Sequence, residues 1–210
     1  MPHRAYLLST DAETICPDWV VDEDSTVEIA ILAEDRHGVP LLWSALFRSA
    51  DLRTLTVTDE EGEHFELLGP IASKEKALVQ LGLARVWYAQ AFATLGSLDA
   101  HFELFERAID ATHGAFVTVD FSELAMRHRP EAFHARFAAI LRSLELPPNP
   151  AAASEMLPLA DYRTSRSFPP ATVARDGSSA EADDRYNLHR LLGSSPHHEE
   201  TLPWEPTKPS

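Results

Sequence analysis

The chain has 210 residues, 44% of them apolar and 24% charged, and a formal net charge of -15. That balance fits a globular fold with one good core and an appendage. It argues against nucleic acid and anionic membrane surfaces as partners, because phosphate and acidic lipid both need a basic face. Cys16 is the only cysteine, so no disulfide can form within the chain, and a reducing compartment is expected. The first ten residues have too short an apolar core for a signal peptide, and no run approaches a membrane span. A soluble, cytoplasmic protein is the expectation.

Arg4 to Ser9 reads as a first strand with apolar residues on both faces, hence covered on both sides. Thr10 to Ser25 is polar, with Pro17 and the acidic run Asp22, Glu23 and Asp24, and reads as a loop pinned by Trp19, Val20 and Val21. Thr26 to Glu34 holds an apolar run too short for period alone to assign; it is read as a helix or helical turn leading into a break at Gly38–Pro40. Gly38 to Phe47 is the most apolar run of the first half. Pro40 suits a first helical position, and the helix expected there is apolar nearly all round, so it must be covered on most sides.

Thr54 to Thr58 and His64 to Leu68 alternate as a hairpin, with Asp59-Glu60-Glu61-Gly62-Glu63 as its loop. A helix follows from a Ser73 cap to Leu95, on the spacing of Ala77, Leu81, Ala84, Tyr88, Ala91 and Leu95, and Gly96 stops it. Ser97 caps a second helix, Leu98 to Thr112, and the short turn between the two predicts an antiparallel helical hairpin. Ala115 to Val119 is a further strand, and Asp120 or Ser122 starts a brief helical turn. Pro130 opens a last helix that buries Phe133, Phe137, Ile140, Leu141 and Leu144.

These elements predict an α+β body over residues 1–146, a small, mostly antiparallel sheet packed against a helical hairpin and further helices. Residues 147–210 hold 10 of the 15 prolines and read as an extended wrapping arm. Within the arm, about 184–193 has an acidic start, a stripe of Leu188, Leu191 and Leu192, and a glycine stop. Such a short helix needs another surface, so these leucines and Trp204 are expected to dock on the body.

Chemistry is harder to find. Neither His64 with Glu66, nor His101 with Glu103, nor His128 with His134, nor His197-His198-Glu199-Glu200 offers the ligand number of a metal site. Cys16 lies in an acidic stretch that disfavours a thiolate, and no nucleophile elbow, phosphate loop or dinucleotide fingerprint exists. No catalytic residue, metal ligand or cofactor is therefore nominated. Residues 1–146 carry 24 acids and 12 bases, net -12, against 9 and 6, net -3, in the arm. Asp22, Glu23, Asp24, Asp59, Glu60, Glu61 and Glu63 concentrate that charge on turns, which a basic partner would relieve. Equally, they serve as solvated loops that keep the chain soluble.

Arg4-Ala-Tyr-Leu-Leu at the start, Val39-Pro-Leu-Leu-Trp-Ser-Ala-Leu-Phe47, and Leu191-Leu-Gly-Ser-Ser with Leu202-Pro-Trp-Glu at the end together resemble a family of small acidic bacterial proteins similar to antibacterial-toxin immunity proteins. That resemblance implies no catalytic residues. It implies a cytoplasmic protein that neutralises a cognate toxin, here a basic toxin domain, by direct binding. The alternative is a hydrolase-like enzyme with a carboxylate or histidine site in a cleft beside the Gly38–Phe47 helix.

Overall fold

The computed structural model describes residues 4–15, 28–36, 38–58, 64–91, 98–127, 129–153, 156, 191–194 and 202. Its centre is a sheet of five antiparallel strands in the order β2-β1-β5-β4-β3. The strands are β1 (Ala5–Thr10), β2 (Ile29–Asp35), β3 (Leu52–Thr58), β4 (His64–Ser73) and β5 (Phe116–Asp120). The helices are α1 (Lys74–Ala91), α2 (Asp99–Asp110), α3 (Ser122–Arg127) and α4 (Pro130–Leu144). The α+β class with an antiparallel sheet packed against helices is what the alternating strands and consecutive helical periods predict.

Strand β1 is paired on both sides, with β2 and β5, and both Leu7 and Leu8 are fully buried. That is why its residues are apolar on both faces. The hairpin β3–β4 pairs in register from Leu52 opposite Pro70 to Thr58 opposite His64. Strand β4 outruns β3, and its last residues, Ile71 to Ser73, pair instead with β5. Gly114, just ahead of β5, passes so close to β1 that a Cβ there would meet Thr10 N at 2.6 Å.

One correction concerns residues 26–34, which were expected to be helical. Ile29–Asp35 is the edge strand β2, joined to β1 through a register shift between Leu7 and Leu8. A seven-residue segment with two isoleucines gains little as an isolated helix. As a strand it takes a full ladder of hydrogen bonds from β1.

The expected helix at Gly38–Phe47 is present as a 3-10 helix over Leu41–Leu46, tighter and shorter than that span. Trp43 N donates to Pro40 O at 3.0 Å and Phe47 N to Ser44 O at 3.3 Å. All six of its side chains are buried. An apolar segment covered on every side has no polar face to keep in water, and the tight turn lets six residues fill one hole in the core. Its polar atoms are still satisfied. Tyr88 Oη donates to Leu41 O at 2.8 Å, and Trp43 Nε1 to Leu192 O at 2.9 Å.

The main core lies between this segment and one face of the sheet, with α1, α2 and α4 closing it. Ser73 Oγ accepts from Lys76 N at 3.3 Å at the start of α1, and Pro130 stands at the first turn of α4. Phe133, Phe137, Ile140, Leu141 and Leu144 are all buried. The other sheet face carries a smaller cluster of Ile15, Leu67 and Ile71, flanked by Leu55 and Phe116.

Several of the described residues beyond α4 pack on the core. Asn149 Oδ1 accepts from Ala151 N at 2.9 Å, starting a further helical turn that buries Ala153, and Met156 is buried too. Leu191 and Leu192 are buried against the same core. Ser194 pairs with Glu34 at the edge of β2 through backbone bonds of 2.7 and 2.8 Å. Between them Gly193 has φ 88°, and a Cβ there would lie 2.7 Å from Trp43 Cζ2. Leu188 and Trp204 lie outside the described residues.

Candidate interaction surface

Asp22, Glu23, Asp24, Asp59, Glu60, Glu61 and Glu63 all lie outside the described residues, as does Cys16. Their attachment points are described. The first run is preceded by Ile15, which packs over β4 at Gly69 and Leu67 on the sheet face away from the helices. The second lies in sequence between Thr58 and His64, the last pair of the β3–β4 ladder.

The buried carboxylates near the 3-10 helix have structural partners. Asp51 is 1% exposed; it contacts the Lys76 ammonium, accepts from Gln80 Nε2 at 3.0 Å, and caps its own turn by accepting from Arg48 N at 2.8 Å. Glu34 is equally buried, between Arg4 at 3.0 Å and Arg36 at 3.6 Å. Charges held this way are spent on their neighbours, and they fasten α1 to the Ser49–Asp51 turn and the start of β1 to β2.

The described histidines, His64, His101, His113 and His134, are not grouped as metal ligands. His64 and Glu66 are both exposed on β4, and among the described residues no three His, Cys, Asp or Glu side chains are grouped to hold a metal ion. Burial lowers the pKa of His101 on α2, and its buried Nδ1 has no hydrogen-bond partner. Burial also lowers His134, against which the nearby Glu131 charge pulls upward. Burial pushes the Tyr88 hydroxyl well up, with the Arg48 charge opposing. Neutral, buried and already bonded, Tyr88 is a core residue.

What the sequence reading missed is the outer face of α1. The residues used to recognise this helix, Ala77, Leu81, Ala84 and Tyr88, are its buried side. On the opposite side Val79, Leu83 and Val86 are 65%, 64% and 59% exposed, and Leu146 beyond α4 is 63% exposed. Scattered exposed apolar side chains need no explanation, but four neighbouring ones do. The signal was present as a second stripe at spacings of four and three. It was masked because a helix apolar on both sides has almost no net amphipathic direction.

Beside that stripe, an open groove of about 380 Å³ runs between the second half of α1 and the end of α4. Leu83, Val86, Trp87, Leu144 and Pro148 line it, with Arg48, Gln90 and Glu145 as its polar groups. Trp87 Nε1 donates to Leu146 O at 3.0 Å, which fixes the groove wall. Burial lowers the pKa of Arg48, whose guanidinium donates to Phe47 O at 2.9 Å and Gln80 O at 3.3 Å. Glu145 Oε1 accepts from both Ser49 N and Ser49 Oγ. This is an open groove rather than an enclosed pocket for a small molecule.

Among the described residues no helix is long and apolar enough to cross a membrane. No family model matches the chain, and neither a curated protein nor a solved structure matches it.

Proposed function

We propose that this chain is a binding protein that neutralises a partner by direct contact, an immunity-type inhibitor of a basic toxin domain in the cytoplasm. The observation that carries the reading is the charge. Residues 1–146 have 24 acids against 12 bases, and the two most buried acids among the described residues, Glu34 and Asp51, are already matched by internal cations. The remaining excess is a long-range field that attracts a basic surface and speeds its encounter. Support also comes from the described side chains, whose buried acids serve the fold and whose histidines do not converge.

Affinity capture from the source strain, with the captured protein identified by mass, tests this reading. The partner is expected to be basic, and binding should weaken as salt rises. Replacing Asp59, Glu60, Glu61 and Glu63 with lysine should slow association at low salt and flatten its salt dependence. An acidic or neutral partner, or unchanged association rates, overturns the proposal.

A further inference from the structure

Trp43 is fully buried in the core, yet the acceptor for its indole N–H comes from the far end of the chain. Trp43 Nε1 donates to Leu192 O at 2.9 Å, across 149 residues of sequence. Two residues later, Ser194 exchanges backbone hydrogen bonds with Glu34 at 2.7 and 2.8 Å, and its hydroxyl donates to Glu34 O at 3.1 Å. These bonds use the edge of β2 that faces away from β1. Between them Gly193 crosses Trp43 with φ 88°, where a Cβ would lie 2.7 Å from Trp43 Cζ2 and 3.0 Å from Ala33 Cβ. Residues 191–194 therefore fill a slot of defined chemistry. It offers a buried N–H, space for two leucines, a third place that no side chain fits, and one rung of β2.

That hold is shallow. The pairing with Glu34 is an isolated bridge. The next rung of an antiparallel ladder would fall to Pro196, which has no N–H to give. Two buried leucines and a few hydrogen bonds only modestly outweigh the ordering of the segment, so roughly one molecule in a hundred has it lifted at any moment. The middle of the sheet is held differently. Strand β5 pairs with both β1 and β4, Val117 is fully buried, and lifting residues 191–194 breaks neither ladder.

We infer that residues 191–194 are a releasable strap over a peptide-binding slot formed by Trp43, Ala33 and Glu34. The ligand is an extended peptide with two apolar residues followed by glycine, the pattern that the strap itself presents. Its carbonyl takes the Trp43 N–H, its glycine passes over the indole, and its next residue pairs with Glu34. The chain's own strap competes for the slot, so a partner's segment binds only in the fraction that is open. The site is independent of the acidic-surface reading, because it works through backbone and apolar groups and uses no exposed charge.

The first test is hydrogen exchange on the full chain, with the Trp43 indole proton followed by NMR. It should be protected roughly a hundredfold, against at least about ten-thousandfold for the Val117 amide. Low urea should speed exchange at Val117 and barely change it at Trp43, because lifting the strap exposes little surface. The second test adds a synthetic peptide of residues 188–196 to the full-length Leu192→Ala chain, whose strap is weakened. With a tethered strap at an effective concentration of about 1 mM, a hundredfold preference for closure corresponds to a Kd near 10 µM for the open slot. The Leu192→Ala chain should bind the peptide at about that value, and the parent chain about a hundredfold more weakly. A peptide carrying Gly193→Val should bind at least about tenfold more weakly than the unchanged one. A Trp43 proton that exchanges in step with Val117 overturns the inference, since the strap would then lift only when the whole fold opens. So does a Leu192→Ala chain that leaves the peptide unbound, or that binds the Gly193→Val peptide equally well.

Discussion

Leu192→Ala tests how far the C-terminal contact belongs to the fold. Leu192 is fully buried, its carbonyl accepts from Trp43 Nε1 at 2.9 Å, and Ser194 two residues on pairs with Glu34. Truncating a leucine in such a place costs about 2–5 kcal/mol, with the larger values where the site cannot collapse. The 3-10 helix beneath it is buried on all sides and offers little room to move. A second route sets a ceiling, because the segment can let go. Burial of Leu191 and Leu192 is worth about 3–6 kcal/mol, and three hydrogen bonds add about 1 kcal/mol each. Ordering four residues opposes this by about 4–8 kcal/mol, so release costs at most a few kcal/mol. Both routes point to a loss near 3 kcal/mol, or a melting temperature about 6–12 °C lower for a chain of this size. Urea and thermal unfolding, followed by tryptophan emission and far-UV circular dichroism, measure it. Gly193→Ala should act in the same direction, through its left-handed backbone and the contact with Trp43. Leu146→Ala, at an exposed site, is the control and should change stability by less than about 0.5 kcal/mol. A Leu192→Ala chain that melts with the parent would refute the reasoning and free the segment to serve a partner.

Two further expectations concern buried polar groups. Asp51→Ala leaves the Arg48 amide, Gln80 and the Lys76 ammonium without their shared acceptor, and should cost about 3–5 kcal/mol in urea unfolding, with Asp51→Asn milder. His101 has a folded pKa lowered below 6.5 by burial, so the unfolded chain takes up the proton first as pH falls, and stability is lost from about pH 6.5 downward. His101→Leu should remove part of that slope and raise stability near pH 5; an unchanged slope between about pH 7 and 5 would show that other groups carry it.

Local pattern alone determined much of this protein. A short run apolar on both faces identified β1, alternation identified the β3–β4 hairpin, a serine cap and a helical period identified α1, and Pro130 with its phenylalanines identified α4 and its buried side. These signals are legible because each is written in neighbouring residues by the geometry of one strand or one helix. The tertiary structure decided the rest. Ile29–Asp35 became a strand because β1 was there to pair with it. Phe116–Asp120, fifth in sequence, took the centre of the sheet by pairing with β1 and β4. Asp51 and Glu34 read as two of 33 acids until the fold brought cations to them across 25 and 30 residues. The second apolar stripe of α1 could not be told from its core stripe, since hydrophobicity says that a face avoids water and not which of two faces the rest of the chain will cover.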